Sequence, residues 1–190
     1  MTAHIGQVMV PTPPEYRDPH YALHADGTRV ERLEDIVRKR AIATPDLPAV
    51  IEPGRITTFR ELDQMSNAVA QALLADGVRA GDRVSYVGEN APSFLAVLYG
   101  TSKIGAIPTA VNFRLAPPEI EYILEHSSPT VVVLGNGLEH LALVANAQPS
   151  VKRVVTVAGG EGSIAYEDWT ASVPHEDPGF SRDPHRDTAL

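Results

Sequence analysis

The chain has 190 residues, 43% hydrophobic and 21% charged, which is enough apolar material for one core of ordinary domain size. Its 16 Lys and Arg against 24 Asp and Glu leave a net charge of -8, which argues against a general nucleic-acid or anionic-membrane surface. There is no cysteine, so a disulfide framework, a thiol nucleophile and a cysteine metal site are excluded, and a cytoplasmic home is expected.

Residues 1–14 lack the basic start and long apolar run of a signal peptide, and no window of about 18 residues is uninterruptedly apolar, so no transmembrane segment is expected. Pro11, Pro13, Pro14 and Pro19 oppose both helix and sheet interior, and residues 1–30 read as an extended N-terminal arm. Leu33, Ile36, Val37 and Ala41 recur at helical spacing and predict a helix over 33–43, with Pro45 beyond its end. Two short strands, 49–51 and 55–58, flank Glu52-Pro53-Gly54 as a hairpin. Thr58 followed by Glu61 has the spacing of a capping box, and Leu62, Met65, Val69 and Leu73 line one face of the helix it opens.

From residue 83 the pattern becomes strand, helix, strand, helix. A strand over 83–87 precedes a helix capped by Asn90, with Pro92 in its first turn, running to about Ile104. Strand 107–111 leads to a helix opened by Pro117 and Pro118. The β-branched run 130–134 suits a strand buried on both faces. A helix over 138–147, a strand over 151–157 and a short helix over 164–169 complete the order. The fold class predicted is α/β, a mainly parallel sheet with helices on both faces, preceded by a small hairpin and helix. Residues 171–190 read as a polar tail, and from about Thr170 mobility is expected because apolar periodicity ceases.

The chemistry-bearing residues assemble into no catalytic constellation. His4, His20, His24, His126, His140, His175 and His185 show no H-E-x-x-H spacing, so no metal site is expected. The cluster Gly159-Gly160-Glu161-Gly162 has no lysine and carries an acid where phosphate would sit. The turn at 87–92 has one glycine where a dinucleotide fingerprint needs three. Ser85, Ser93, Ser102, Ser127 and Ser128 all lack the G-x-S-x-G frame. No catalytic residue is assigned. One polar cluster, Asn112-Phe113-Arg114, follows the strand ending at Val111, where ligands gather in parallel sheets. Two readings stand: a turn made by Asn112 with Arg114 facing solvent or paired with an acid, or a substrate or interdomain wall.

Five segments in order carry a resemblance. Thr57-Thr58-Phe59-Arg60-Glu61-Leu62 resembles a "T-Y-x-E-L" segment, and Gly77 to Val84 a "G-V-x-x-G-D-x-V" segment. Glu89-Asn90, then Ile104-Gly105-Ala106-Ile107-Pro108 with Asn112, then Pro118-Glu119-Ile120 follow with similar gaps. Over residues 31–158 the chain resembles the N-terminal part of adenylate-forming acyl-CoA synthetases, the superfamily of acyl- and aryl-CoA ligases, luciferases and peptide-synthetase adenylation domains. Residues 112–119 are more similar to fatty-acid-CoA ligases. Thr109-Ala110-Val111 departs from the family, which commonly has a second proline near the asparagine.

The resemblance implies that residues 31–170 are a partial N-terminal subdomain. It also implies that 171–190 lead toward an ATP loop lying beyond Leu190, since Asp187-Thr188-Ala189-Leu190 is similar to the strand start before that loop. For the intact enzyme it implies ATP, Mg2+ and coenzyme A as cofactors and a carboxylic acid, of fatty-acid type, as substrate. The acid attacks the α-phosphorus of ATP, pyrophosphate leaves, and the coenzyme A thiol then displaces AMP. The chain alone is expected to be truncated, inactive and without cofactor, and to form a homo-oligomer through apolar surface that a second layer would cover. The alternative is a stand-alone, non-catalytic binding or interaction protein on the same scaffold.

Overall fold

The computed structural model describes residues 32–179, so the arm at 1–30 and the end of the tail, 180–190, lie outside the described residues. Helix α1 (Leu33–Ala43) leads into a hairpin, β1 (Pro48–Glu52) and β2 (Arg55–Thr58). Helix α2 (Phe59–Ala75) starts at the expected capping box. Thr58 Oγ1 accepts from the Glu61 N–H at 3.2 Å, and Glu61 Oε2 accepts from the Thr58 N–H at 2.7 Å. Two backbone donors that the first turn would leave unpaired are thereby satisfied.

The sheet follows from β3 (Arg83–Val87), β4 (Ile107–Val111), β5 (Val131–Leu134), β6 (Arg153–Thr156) and β7 (Ile164–Ala165). Its order is β4-β3-β5-β6-β7, and every neighbouring pair is parallel. The α/β class with a parallel sheet, flanking helices and a separate hairpin is therefore present. Helices α3 (Pro92–Lys103), α4 (Pro117–Ser127), α5 (Ala142–Asn146) and α6 (Tyr166–Ala171) complete the fold.

Strand alternation divides the interior in two. Val84, Tyr86, Val131, Val133 and Val155 face α1, α2, α3 and α6, in a core with Val69, Leu73, Val97 and Trp169. Val87, Val132, Leu134 and Val154 face α4 and α5, in a core with Ile120, Leu124 and Ala145. Both faces of β5 are buried, which is why it reads as an unbroken apolar run. Asp76 ties the end of α2 to this frame. It accepts from Arg153 Nη2 at 2.7 Å through Oδ1 and from Trp169 Nε1 at 2.8 Å through Oδ2.

Strand β4 forms one sheet edge. The Ile107 N–H donates to Asp82 O at 2.7 Å, toward β3. Alternation then turns the backbone of Pro108 outward, where its missing N–H removes a donor from the open edge.

Three local expectations are corrected. Asn90 does not cap α3. The N-cap is Ala91, with no side-chain bond, because Pro92 sets the first helical residue and fixes the cap one position earlier. The helix expected over 138–147 is a 3-10 turn, Glu139–Leu141, followed by the short α5. Ile164 and Ala165 are a strand beside β6 rather than the start of a helix. Within the expected polar tail, residues 170–179 make contacts with the body of the fold. Val173 packs on the first core, Gln71 Nε2 donates to Glu176 O at 3.0 Å, and Asp177 accepts two bonds from Arg38.

Candidate functional site

In an open parallel sheet, ligands collect beyond the strand carboxyl ends, where successive connections leave in opposite directions. Here the chain passes from β3 to β4 on one side, and from β5 toward β6 on the other. The loops after β3 and β5 meet at that point. The Gly135 N–H donates to Val87 O at 2.8 Å, and a Cβ on Gly135 would come within 3.0 Å of Gly88 Cα. A Cβ on Gly88 would lie 2.7 Å from the Tyr86 ring. The two glycines allow this close approach, and the Tyr86 phenol fills the space next to it.

The opening is therefore displaced toward β4. A groove of about 500 Å³ is lined by Tyr86, Gly88, Glu89, Asn90 and Phe94 from the β3–α3 side, and by Ala110 through Arg114 from the β4 side. Its size falls in the range of small-molecule sites. All three residues singled out from sequence, Asn112, Phe113 and Arg114, line it.

Of the two sequence readings of that tripeptide, the geometry shows the turn. Asn112 does make a turn: its Oδ1 accepts from the Arg114 N–H at 3.0 Å, an Asx turn. Arg114 is exposed, yet its guanidinium lies 5.2 Å from the centroid of the Phe113 ring, an orienting cation–π contact. Across the groove, Tyr86 Oη is 3.3 Å from both Ser93 Oγ and Glu89 O. Burial pushes its phenol up from the ordinary tyrosine value, against the opposing effect of the Ser93 hydrogen bond. Tyr86 and Phe94 pack with ring centroids 5.2 Å apart and form the apolar floor.

The groove thus offers an aromatic base, one cation, one carboxylate (Glu89) and the N-terminus of α3, which has no side-chain cap. These groups can hold an amphipathic or anionic ligand against a wall. They include no nucleophile–base pair. Among the described residues no group of three or more His, Cys, Asp or Glu is placed to hold a metal. No described helix is long and apolar enough to cross a membrane. The cluster Gly159-Gly160-Glu161-Gly162 forms a tight turn, with the Ser163 N–H donating to Gly160 O at 3.0 Å.

Sequence reasoning missed a charged cluster at the opposite end of the sheet. Lys103, in the last turn of α3, is wholly buried; its Nζ donates to Asp63 Oδ1 at 2.6 Å and to Asn67 Oδ1. Arg38 of α1 binds Asp177 in bidentate fashion at 2.6 and 2.9 Å, and Lys103 Nζ lies 3.7 Å from the same carboxylate. The signals were a lysine closing an apolar helix, and Asp63 and Asn67 four residues apart on α2.

An open parallel sheet with an amphipathic groove at its strand ends defines an open-sheet α/β domain. The chain belongs to the AMP-binding enzyme family, whose model matches residues 37–189. It is 35% identical over 134 residues to the fatty acid–[acyl-carrier-protein] ligase ScoC of Streptomyces coeruleorubidus, covering 70% of this chain and 25% of that protein. It is 33% identical over 132 residues to the long-chain-fatty-acid–CoA ligase FadD13 of Mycobacterium tuberculosis, covering 68% and 26%. It is 31% identical over 131 residues to the 3-hydroxybenzoate–CoA ligase of Aromatoleum sp. (strain CIB), covering 68% and 25%. The chain spans about a quarter of the length of these curated relatives. Among solved structures, the inhibitor-bound N-terminal domain of FACL13 from Mycobacterium tuberculosis superposes with a TM-score of 0.71 at 26% identity, over 80% of this chain and 38% of that one.

Proposed function

We propose that this chain is part of an ATP-dependent acyl-CoA ligase that activates a carboxylic acid, of fatty-acid type, as acyl-AMP and transfers the acyl group to coenzyme A. The observation that carries the reading is the family match over 37–189. A fatty-acid substrate is favoured over an aromatic one by the names of ScoC and FadD13, while the hydroxybenzoate ligase represents the competing class.

In this reading Asn112, Phe113 and Arg114 form a substrate or interdomain wall. Asn112 holds the turn, Phe113 presents an apolar face, and Arg114 offers a charge oriented by that ring. ATP, Mg2+ and coenzyme A serve the intact enzyme. The described residues do not themselves fit a magnesium–triphosphate site, having neither a cluster of metal-holding acids nor a lysine-bearing glycine loop. No step of the reaction is routed through them, and the chain alone is inactive. The protein acts in the cytoplasm. Ile51 and Ile56, an exposed cross-strand pair on the hairpin, support self-association, which sedimentation velocity tests.

The deciding experiment is pyrophosphate exchange with a panel of fatty and aromatic acids. The protein that carries this chain in full is compared with residues 1–190. Exchange with fatty acids by the first and none by the second is the expected result. Exchange confined to aromatic acids would overturn the substrate assignment, and exchange by residues 1–190 would overturn the inactivity.

A further inference from the structure

The charged cluster outside the groove lies where one segment crosses three helices. After α6 the chain runs back over α2 and ends its described path at Gly179. Its contacts on the way include Ser172 Oγ with Trp169 O, Val173 against the core, His175 Nε2 with Thr170 O, Glu176 O with Gln71 Nε2, and Asp177 with Arg38 and Lys103. Most of residues 171–179 are exposed, so little apolar burial holds the segment down.

The surface beneath Asp177 is different in kind. The Lys103 side chain has 0% exposure and that of Arg38 10%, so two cations are withdrawn from water side by side. Asp63 and Asn67 serve Lys103 from α2, and Asp35 approaches Arg38 from α1 at 3.8 Å. Asp177 reaches both cations, at 2.6 Å from Arg38 Nε and 3.7 Å from Lys103 Nζ. Its other oxygen accepts from Arg38 Nη2 and from the Gly179 N–H, so one carboxylate also shapes the turn that ends the segment.

We propose that residues 172–179 are a strap clasped shut by Asp177, whose carboxylate docks on the buried pair Arg38 and Lys103, and that the strap opens as a unit while the α1–α3 helices stay folded. The free energy of docking is concentrated at one charge-assisted bidentate contact. The helices keep the Lys103–Asp63 bond and their own apolar core when the strap leaves. A segment with few buried apolar contacts and one strong anchor is the kind that opens locally below the global stability.

Amide hydrogen exchange followed by mass spectrometry tests this on the 190-residue chain and its Asp177→Asn variant, which keeps the side-chain shape and removes the charge. The expected result is exchange faster by about tenfold or more in the strap peptide that carries Gly179, whose amide donates to Asp177 Oδ1, with α2 and α3 amides unchanged. Emission of Trp169, the only tryptophan, should also be unchanged. Unaltered strap exchange would overturn the proposal. So would equal acceleration of strap and helices, which would make Asp177 part of the global core. If the variant does not fold, the unsubstituted chain in about 1 M NaCl decides. Selective acceleration of that strap peptide supports the clasp, and no acceleration rejects it.

Discussion

Lys103 Nζ lies 2.6 Å from Asp63 Oδ1, joining the last turn of α3 to the first turns of α2, with the lysine side chain wholly buried and the aspartate 20% exposed. Burial pulls the ammonium below the ordinary lysine value. Asp63 opposes this by charge and hydrogen bond, and Asp177 adds to the opposition. A buried ion pair adds little over an apolar pair, but losing one partner strands the other. Lys103→Met is therefore expected to lower unfolding stability by about 2–3 kcal/mol, less than for a fully buried partner because Asp63 reaches water. Adding Asp63→Leu should recover most of the loss. Urea denaturation of the single and double variants measures both.

Helices α2 and α3 pack closely at Gly100. A Cβ there would lie 2.6 Å from Ser66 O and 2.9 Å from Val69 Cβ. Backbone cannot yield as a flexible side chain does, so the helices would have to separate. Gly100→Ala is expected to destabilise by about 1–3 kcal/mol, although alanine favours a helix over glycine. The sign of the change in urea midpoint decides between contact and propensity.

The α2 capping box offers a milder test. Thr58→Ala removes the hydroxyl that accepts from the Glu61 N–H and leaves the reciprocal carboxylate bond in place. A loss of about 1 kcal/mol is expected from thermal or urea unfolding, with the fold unchanged.

Strap docking should depend on acid. Burial works to raise the Asp177 carboxyl, but the hydrogen bonds and charge of Arg38, the Gly179 N–H and Lys103 outweigh it and hold it below the ordinary carboxylate value. The surrounding charged groups are Arg38 and Lys103, with Glu34, Asp35 and Asp63 as further acids. A depressed carboxylate contributes stability that is complete above its unfolded value, about pH 4, and is lost as pH falls through the folded value. The Gly179 amide, bonded to Asp177 Oδ1 at 2.9 Å, reports this directly. Its proton shift should hold steady from neutral pH to about 5 and move only below about 4. A midpoint above 5 would contradict the ion pair.

Much of the fold was legible because its signals are local. The box at Thr58 and Glu61, the prolines opening α3 and α4, and the β-branched run of β5 each express backbone chemistry within a few residues. The place of Asn112 just beyond a strand end was legible in the same way, and there it lines the groove. What the sequence by itself determined was the alternation of elements from α1 to β6, the boundaries of α1, β3 and β4, and the likeness to the ligase family over residues 31–158.

The tertiary structure decided which distant residues meet. Ile164 and Ala165 carry too short a pattern to declare a strand; they pair because β6 presents an open edge beside them. Arg38 and Asp177 are separated by 139 residues, and Lys103 and Asp63 by 40. Neither pairing has a periodicity that could announce it. A lysine closing an apolar helix reads as a solvated end until packing against α2 removes the water. Only then do Asp63 and Asp177 become partners that burial demands, because a charge withdrawn from solvent is tolerated where opposite charge and hydrogen bonds replace the water it has lost.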